Sequence, residues 1–136
     1  MAEWIIVFLL VLAFGVVVGV LVASRRKGFA SADHSFFAHQ WAKVLAEMES
    51  HPAQAVLSAD KLLDLALKKQ GKQGTLGEKL QRHGALFSNL DGIWASHKLR
   101  NTIAHEVGFV PSLPRAREAL GHFRRGLCDL GLHLDL

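Results

Sequence analysis

The pattern of hydrophobic and polar positions divides the 136-residue chain into one continuous apolar run and a series of amphipathic segments. The run occupies residues 4–23, WIIVFLLVLAFGVVVGVLVA, and holds no charged side chain. Twenty helical residues at ~1.5 Å each span ~30 Å, the thickness of the hydrocarbon core of a bilayer. Trp4 stands at the outer edge of the run, where indole rings favour the headgroup region. The run therefore predicts a single-pass transmembrane helix.

Charges around the run predict its orientation. Arg25, Arg26 and Lys27 follow it directly, whereas Glu3 is the only charged side chain before it. Because basic flanks stay in the cytoplasm, the N-terminus is expected outside and the C-terminal domain inside the cell membrane. We assign residues 1–27 to the anchor with its basic cytoplasmic flank, 28–34 to a linker and 35–136 to a helical domain. The alternative, a cleaved signal peptide, would need a basic start and a shorter apolar run.

Beyond the linker, apolar residues recur at steps of three and four, the period of an α-helix. The first helix is expected to end before Pro52, because the residue preceding a proline avoids the helical region. The second begins at Pro52 and ends at Gly71. Thr75 and Glu78 form a capping box that opens a short third helix, which ends near Gly84.

The remaining chain predicts two further helices. The fourth runs from about Ser88 or Asp91 to His105, residues 108–114 interrupt the chain, and the fifth ends at Gly131. No segment alternates with a period of two, so the predicted fold is all-α: a five-helix up-and-down bundle behind the anchor. The apolar stripes expected in its core include Phe37, Trp41, Val44, Leu45 and Met48; Val56, Ala59, Leu63, Ala66 and Leu67; Leu90, Ile93, Trp94, Leu99 and Ile103; and Ala116, Leu120, Phe123, Leu127 and Leu130.

Composition excludes several classes of function. The net charge of +4 includes the basic flank of the anchor, and residues 28–136 hold 13 Lys and Arg against 11 Asp and Glu. Charge alone therefore implies no nucleic-acid surface. The single cysteine, Cys128, rules out an internal disulfide. Metal-ligand spacings and the Walker spacing are both missing, so we predict neither a metal site nor a bound cofactor.

Candidate chemistry is concentrated in residues 97–105 of the fourth helix. At ~100° per residue, His97, Asn101 and His105 share one face, and Arg100 lies beside that stripe. A guanidinium, an amide and an imidazole on one helix surface can bind a phosphate and transfer a proton. These four residues are the predicted site.

This segment resembles the motif of the HEPN superfamily, an Arg, a polar residue directly after it and a His that closes an R-x4-6-H. Arg100, Asn101 and His105 match that motif, and the order of the helices across residues 35–131 is also similar to that family's bundle. The resemblance implies a metal-independent endoribonuclease that acts on RNA as a homodimer. By this resemblance Arg100 would bind the scissile phosphate, Asn101 would orient the reacting groups and His105 would be the general acid/base. His97, one turn earlier, would bind substrate in the same cleft.

The resemblance also implies partners and leaves alternatives open. Toxin members of the family work with an antitoxin or a nucleotidyltransferase. In one subgroup the nucleotidyltransferase modifies a Tyr two residues after the motif His, but Val107 stands there and the chain has no Tyr. That mode of control is therefore not expected. Family members without nuclease activity exist, so a non-catalytic binding or assembly module at the membrane is the main alternative.

Two structural interpretations remain beside these. The whole chain could be a structural membrane protein whose bundle only oligomerises, with Gly15 and Gly19 as a G-x-x-x-G contact in the anchor. His105 could instead stabilise the C-terminal end of its helix through the helix dipole, with Arg100 paired to Glu106 or Asp91.

Overall fold

The computed structural model describes residues 1–25 and 28–134, and every regular element in those two ranges is helical. The prediction of an all-α chain is confirmed for this part. The helices are α1 (Ala2–Arg25), α2 (Ser31–Glu47), α3 (Pro52–Lys69), α4 (Leu76–His83), α5 (Leu90–His105) and α6 (Leu113–Asp129), with a 3₁₀ turn (Gly84–Leu86) directly after α4.

Helix α1 is the apolar helix at the N-terminus. Its span Glu3–Leu21 has a mean hydropathy of 3.1, and none of that span is buried against the rest of the described chain. A core helix of a soluble protein would bury such a surface, because exposing it to water is costly. By length and composition α1 can cross a membrane. Arg26 and Lys27, two of the three residues in the predicted basic flank, lie outside the described residues.

The first turn of α2 overlaps the predicted linker, because the helix begins at Ser31. Asp33 explains the early start: its carboxylate accepts a hydrogen bond from the backbone N–H of Ala30 at 3.3 Å. Lys69, at the end of α3, lies 2.7 Å from the same carboxyl group. The hydrogen bond from Lys69 lowers the pKa of Asp33 and so favours its charged form. Asp33 therefore stabilises the first turn of α2, which precedes the first residue of the apolar stripe.

Helix α3 is the central helix of the bundle, because it packs against α2, α5 and α6. All five residues predicted for its core stripe are buried, and so are all five predicted for the last helix. The stripe of α5 is divided: Ile93 and Leu99 are buried, whereas Leu90, Trp94 and Ile103 are only partly covered. One side of α5 packs against α3 and α6, and the adjoining polar side borders a cavity between α3, α4 and α5.

The ends of the helices follow the predicted caps with three differences. The Thr75–Glu78 capping box is present, and Gly71 and Gly131 end α3 and α6 with φ of 81° and 100°. Gly84 instead keeps a right-handed φ of −56°, because the chain continues into the 3₁₀ turn. Helix α5 begins at Leu90 behind an Asn89 cap rather than at Ser88 or Asp91. Helix α6 begins at Leu113, inside the predicted interruption.

Candidate active site

A polar cavity of about 360 Å³ lies between α3, the first turn of α4 and α5. Helix α5 brings three of the four predicted site residues to it, since positions three and four apart share a helix face. The side chains that line it are Asp60, Lys61 and Asp64 from α3 and His97, Arg100 and Asn101 from α5, and the cap and first turn of α4, residues 75–77, close one side. His105, the fourth predicted residue, does not line this cavity.

Asp60 is the centre of the polar contacts in the cavity, and the sequence analysis gave it no role. It is 4% exposed, its Oδ1 lies 2.7 Å from Nδ1 of His97, and its Oδ2 lies 3.4 Å from Nε of Arg100. A buried carboxylate needs such partners, because an uncompensated charge in the interior is costly. A sequence clue was available: Asp60 follows Ala59 directly and precedes Leu63 by three residues, next to the buried stripe of α3.

The contact with Asp60 fixes how His97 is oriented. An ionised carboxylate only accepts hydrogen bonds, so the Nδ1 atom of His97 carries the proton and donates it to Asp60. The Nε2 atom then points toward the first turn of α4, where a Cβ added at Gly77 would lie 3.9 Å from it. The ring of Trp94 packs edge-on against the imidazole, with the centroids 6.0 Å apart. These contacts hold the imidazole with one nitrogen toward the cavity.

Arg100 is held from two sides. Its Nη1 donates a hydrogen bond to Oδ1 of Asn101 at 3.0 Å. Its buried Nε lies at ion-pair distance from Asp60 but without hydrogen-bond geometry. No hydrogen bond from Nη2 is found among the described residues, so that end of the guanidinium can receive an anion. The acidic partner of Arg100 is therefore Asp60 and not Glu106 or Asp91, the two partners considered from the sequence.

A second ion pair, between Asp64 and Lys79, borders the cavity. Lys79 is 2% exposed, and its Nζ donates hydrogen bonds to Oδ1 of Asp64 at 2.8 Å and to the backbone carbonyl oxygen of Asp64 at 3.3 Å. With Asp64 neutralised in this way, the lining holds the cations Lys61 and Arg100 against the anion Asp60. The balance is positive before His97 is counted, which favours a phosphate group over a cation.

His105 is the last residue of α5 and is exposed. It lies two turns beyond His97, and at ~1.5 Å per residue a step of eight residues corresponds to ~12 Å along the helix axis. The chain after it exposes Val107 and Val110, which are 105% and 65% accessible. His105 therefore belongs to an open surface at the end of α5 rather than to the cavity of its own chain.

Neither a metal-binding cluster nor a similar protein adds information about the site. Within residues 1–25 and 28–134, no group of three or more His, Cys, Asp or Glu side chains is placed to hold a metal ion. No protein-family model matches the chain, and neither a curated protein nor a solved structure is significantly similar to it. The geometry of the cavity is therefore the basis for the functional argument, and the HEPN resemblance stays a prediction.

Proposed function

We propose that this protein is a membrane-anchored, HEPN-like endoribonuclease that cleaves single-stranded RNA without a metal ion and acts as a homodimer. The observation that supports it is the cavity in which Arg100 and Asn101 lie beside an oriented imidazole and a buried carboxylate. Arg100 binds the scissile phosphate, since a guanidinium offers two parallel donors to phosphate oxygens, and Asn101 orients Arg100 by accepting its hydrogen bond. The 2′-OH of the ribose attacks that phosphate, and imidazoles transfer the protons.

Dimerisation brings His105 to the reacting phosphate in this proposal. His105 lies outside the cavity of its own chain, so it acts on the cavity of a second copy. The exposed Val107 and Val110 beside it support this arrangement, because neighbouring apolar side chains become buried when two surfaces associate. In the dimer, the open end of one α5 covers the polar cavity of the other copy.

Membrane anchoring is the role of α1 in this proposal. Its apolar surface finds no cover within the described chain, and a bilayer supplies that cover. The basic residues 25–27 place the helical domain on the cytoplasmic side, where RNA is present.

The test is an RNA-cleavage assay of the full chain in detergent micelles with EDTA present. We expect cleavage of single-stranded RNA with a 2′,3′-cyclic phosphate product, whereas DNA, which lacks the 2′-OH, stays intact. His105→Ala should lower the rate by ~10²–10⁴-fold through loss of a proton-transfer group. Arg100→Lys should also lose activity, because lysine keeps the charge but not the planar fork.

A matched control separates this activity from contamination and from unfolding. His122 is a partly buried histidine on α6, outside the cavity, where its Nδ1 lies 3.2 Å from Nδ2 of Asn89. His122→Gln should cleave RNA at the wild-type rate. Equal RNA degradation by wild type and His105→Ala would refute the assignment of His105, and equal degradation by wild type and Arg100→Lys would refute the ribonuclease.

A non-catalytic binding module at the membrane is the second candidate. It is favoured by the contact between Asp60 and Arg100, which holds the guanidinium inside its own chain, and by the position of His105 outside the cavity. In that case the full chain binds single-stranded RNA without cutting it, and Arg100→Lys weakens binding. A gel-shift measurement beside the cleavage assay distinguishes the two functions.

A further inference from the structure

Sequence spacing gave His97 only a place in the substrate cleft, but its surroundings show more. The imidazole donates its Nδ1 proton to a carboxylate that is 4% exposed, and its own side chain is 13% exposed. A partner on Nδ1 fixes the tautomer of an imidazole, so that the lone pair lies on Nε2. That nitrogen faces Gly77, a residue without a side chain that also lines the cavity.

We infer that His97 is the base that takes the proton of the attacking 2′-OH and that Asp60 is the residue that positions it. This inference rests on the proposed ribonuclease function and adds a second imidazole to it. Arg100, three positions along the same face of α5, holds the phosphate beside that base.

The reaction balances with two imidazoles. The 2′-OH gives its proton to Nε2 of His97 while the 2′ oxygen bonds to phosphorus. The bond between phosphorus and the 5′ oxygen breaks, and the leaving oxygen takes a proton from the imidazolium of His105 of a second copy. The products are a 2′,3′-cyclic phosphate and a 5′-OH, and both histidines return to their starting forms by proton exchange with water.

The separation of the two histidines explains why one chain does not suffice. Along α5 they are ~12 Å apart, and His105 does not line the cavity that holds His97. His97 therefore works in its own cavity, and a second copy supplies His105. The charged groups that line the cavity with His97 are Asp60, Lys61 and Asp64 from α3 and Arg100 from α5, and Lys79 from α4 pairs with Asp64 at its border.

Two variants of His97 test the inference in the full chain in detergent micelles, with single-stranded RNA as substrate. His97→Gln should lower kcat by ~10²–10⁴-fold, the usual contribution of a positioned proton-transfer group. His97→Ala should be equally slow and should regain activity when free imidazole is added, because the small base can occupy the vacated space. Rescue by imidazole is a result that a purely structural role of His97 does not produce.

The pH profile gives a second readout. Wild type should show a bell-shaped dependence of rate on pH, since one imidazole must be neutral and the other protonated. His97→Gln should lose the fall in rate at low pH and keep the fall at high pH. Asp60→Asn can turn its amide N–H toward Nδ1, which moves the imidazole proton to Nε2, so it should be slow and should not respond to imidazole.

Gly77→Ala tests access to Nε2 while leaving His97 itself unchanged. The added methyl group would lie 3.7 Å from Trp94 and 3.9 Å from Nε2, both ordinary contacts. Alanine also favours the helix, so this variant should fold at least as well as wild type while its KM rises. Gly77→Ala still tests the role of His97 if a His97 variant does not fold.

The outcomes separate the two claims. Wild-type cleavage with His97→Gln and Gly77→Ala unchanged would overturn the role of His97 and leave the ribonuclease standing. Loss of activity in His97→Ala that imidazole does not restore would also overturn it. If folded, dimeric wild-type protein leaves RNA uncut, the proposed function fails, and the role of His97 fails with it.

Discussion

Asp60 on α3 accepts a hydrogen bond from His97 on α5 at 2.7 Å, although 37 positions separate the two residues in the chain. The same carboxyl group lies 3.4 Å from Arg100, so one buried acid joins two of the predicted site residues. This relationship turns a polar helix face into a cavity with a fixed arrangement of donors and acceptors.

Removal of that acid should destabilise the bundle. Asp60→Ala leaves Nδ1 of His97 without its partner and Nε of Arg100 without a counter-charge. We expect a loss of about 1–3 kcal/mol in the free energy of unfolding, closer to a lost hydrogen bond than to a fully buried ion because Arg100 is 29% exposed. Denaturant unfolding of the full chain in micelles, followed by circular dichroism, measures it. Glu118→Ala, which removes an exposed carboxylate, should change stability little; equal effects would contradict the prediction.

Two glycines on α6 should respond in opposite directions to alanine. A Cβ at Gly126 would lie 2.9 Å from Ile93 and 3.4 Å from Leu63, where α6 meets α5 and α3. Gly126→Ala should therefore cost about 1–3 kcal/mol through overpacking. Gly121 has no atom within 4 Å of its added Cβ, so Gly121→Ala should stabilise the helix by up to about 1 kcal/mol. Thermal unfolding of both variants checks the contrast, and a stabilising Gly126→Ala would show that the contact is looser.

The capping box of α4 predicts a pH-dependent stability. The backbone N–H of Thr75 donates to the carboxylate of Glu78 at 2.8 Å, and this bond lowers the pKa of Glu78 from its ordinary value of 4.5. The lowered pKa means that the stabilisation is fully present above pH 4.5 and is lost as the pH falls through the folded-state value. The difference in melting temperature between wild type and Glu78→Gln should therefore shrink below pH 4.5. A difference that does not change with pH would show that the charge of Glu78 is unimportant.

The orientation of the anchor can be tested in intact cells. A reporter fused after Leu136 should behave as cytoplasmic, and protease added outside should leave the helical domain uncut. Replacing Arg25, Arg26 and Lys27 with neutral residues should weaken the preference for this orientation without abolishing insertion. Digestion of the domain from outside would reverse the assignment, and release of the domain as a soluble fragment would favour the signal peptide.

The dimer surface proposed at the end of α5 can be tested with Val107 and Val110. Val107→Asp with Val110→Asp should convert a dimer of the full chain into a monomer, because the interface would have to bury two carboxylates in place of two apolar side chains. The fold should be unaffected, since both side chains are exposed. Sedimentation in detergent measures the change. If Gly15→Ile with Gly19→Ile dissociates the dimer instead, the association is made by the anchors.

The sequence by itself determined where the helices of this protein lie. The helical repeat of apolar residues, the prolines and the Thr75–Glu78 capping box each depend on residues close together in the chain. They can therefore be recognised without a tertiary structure. The buried stripes of α3 and α6 and the exposed apolar α1 were all predictable for that reason. The first residues of the helices were harder to predict. Asp33 and Asn89 fix the beginnings of α2 and α5 through single hydrogen bonds, which the spacing of apolar residues does not indicate.

Only the tertiary structure decided how the candidate site is built. Helical spacing placed His97, Asn101 and His105 on one face, but packing against α3 and α4 covers the first two and leaves His105 in the open. Asp60 could not be assigned its role from the sequence, because its partners are on another helix, distant along the chain. Period and spacing report contacts within one helix, whereas a site made by three helices depends on how their faces meet through space.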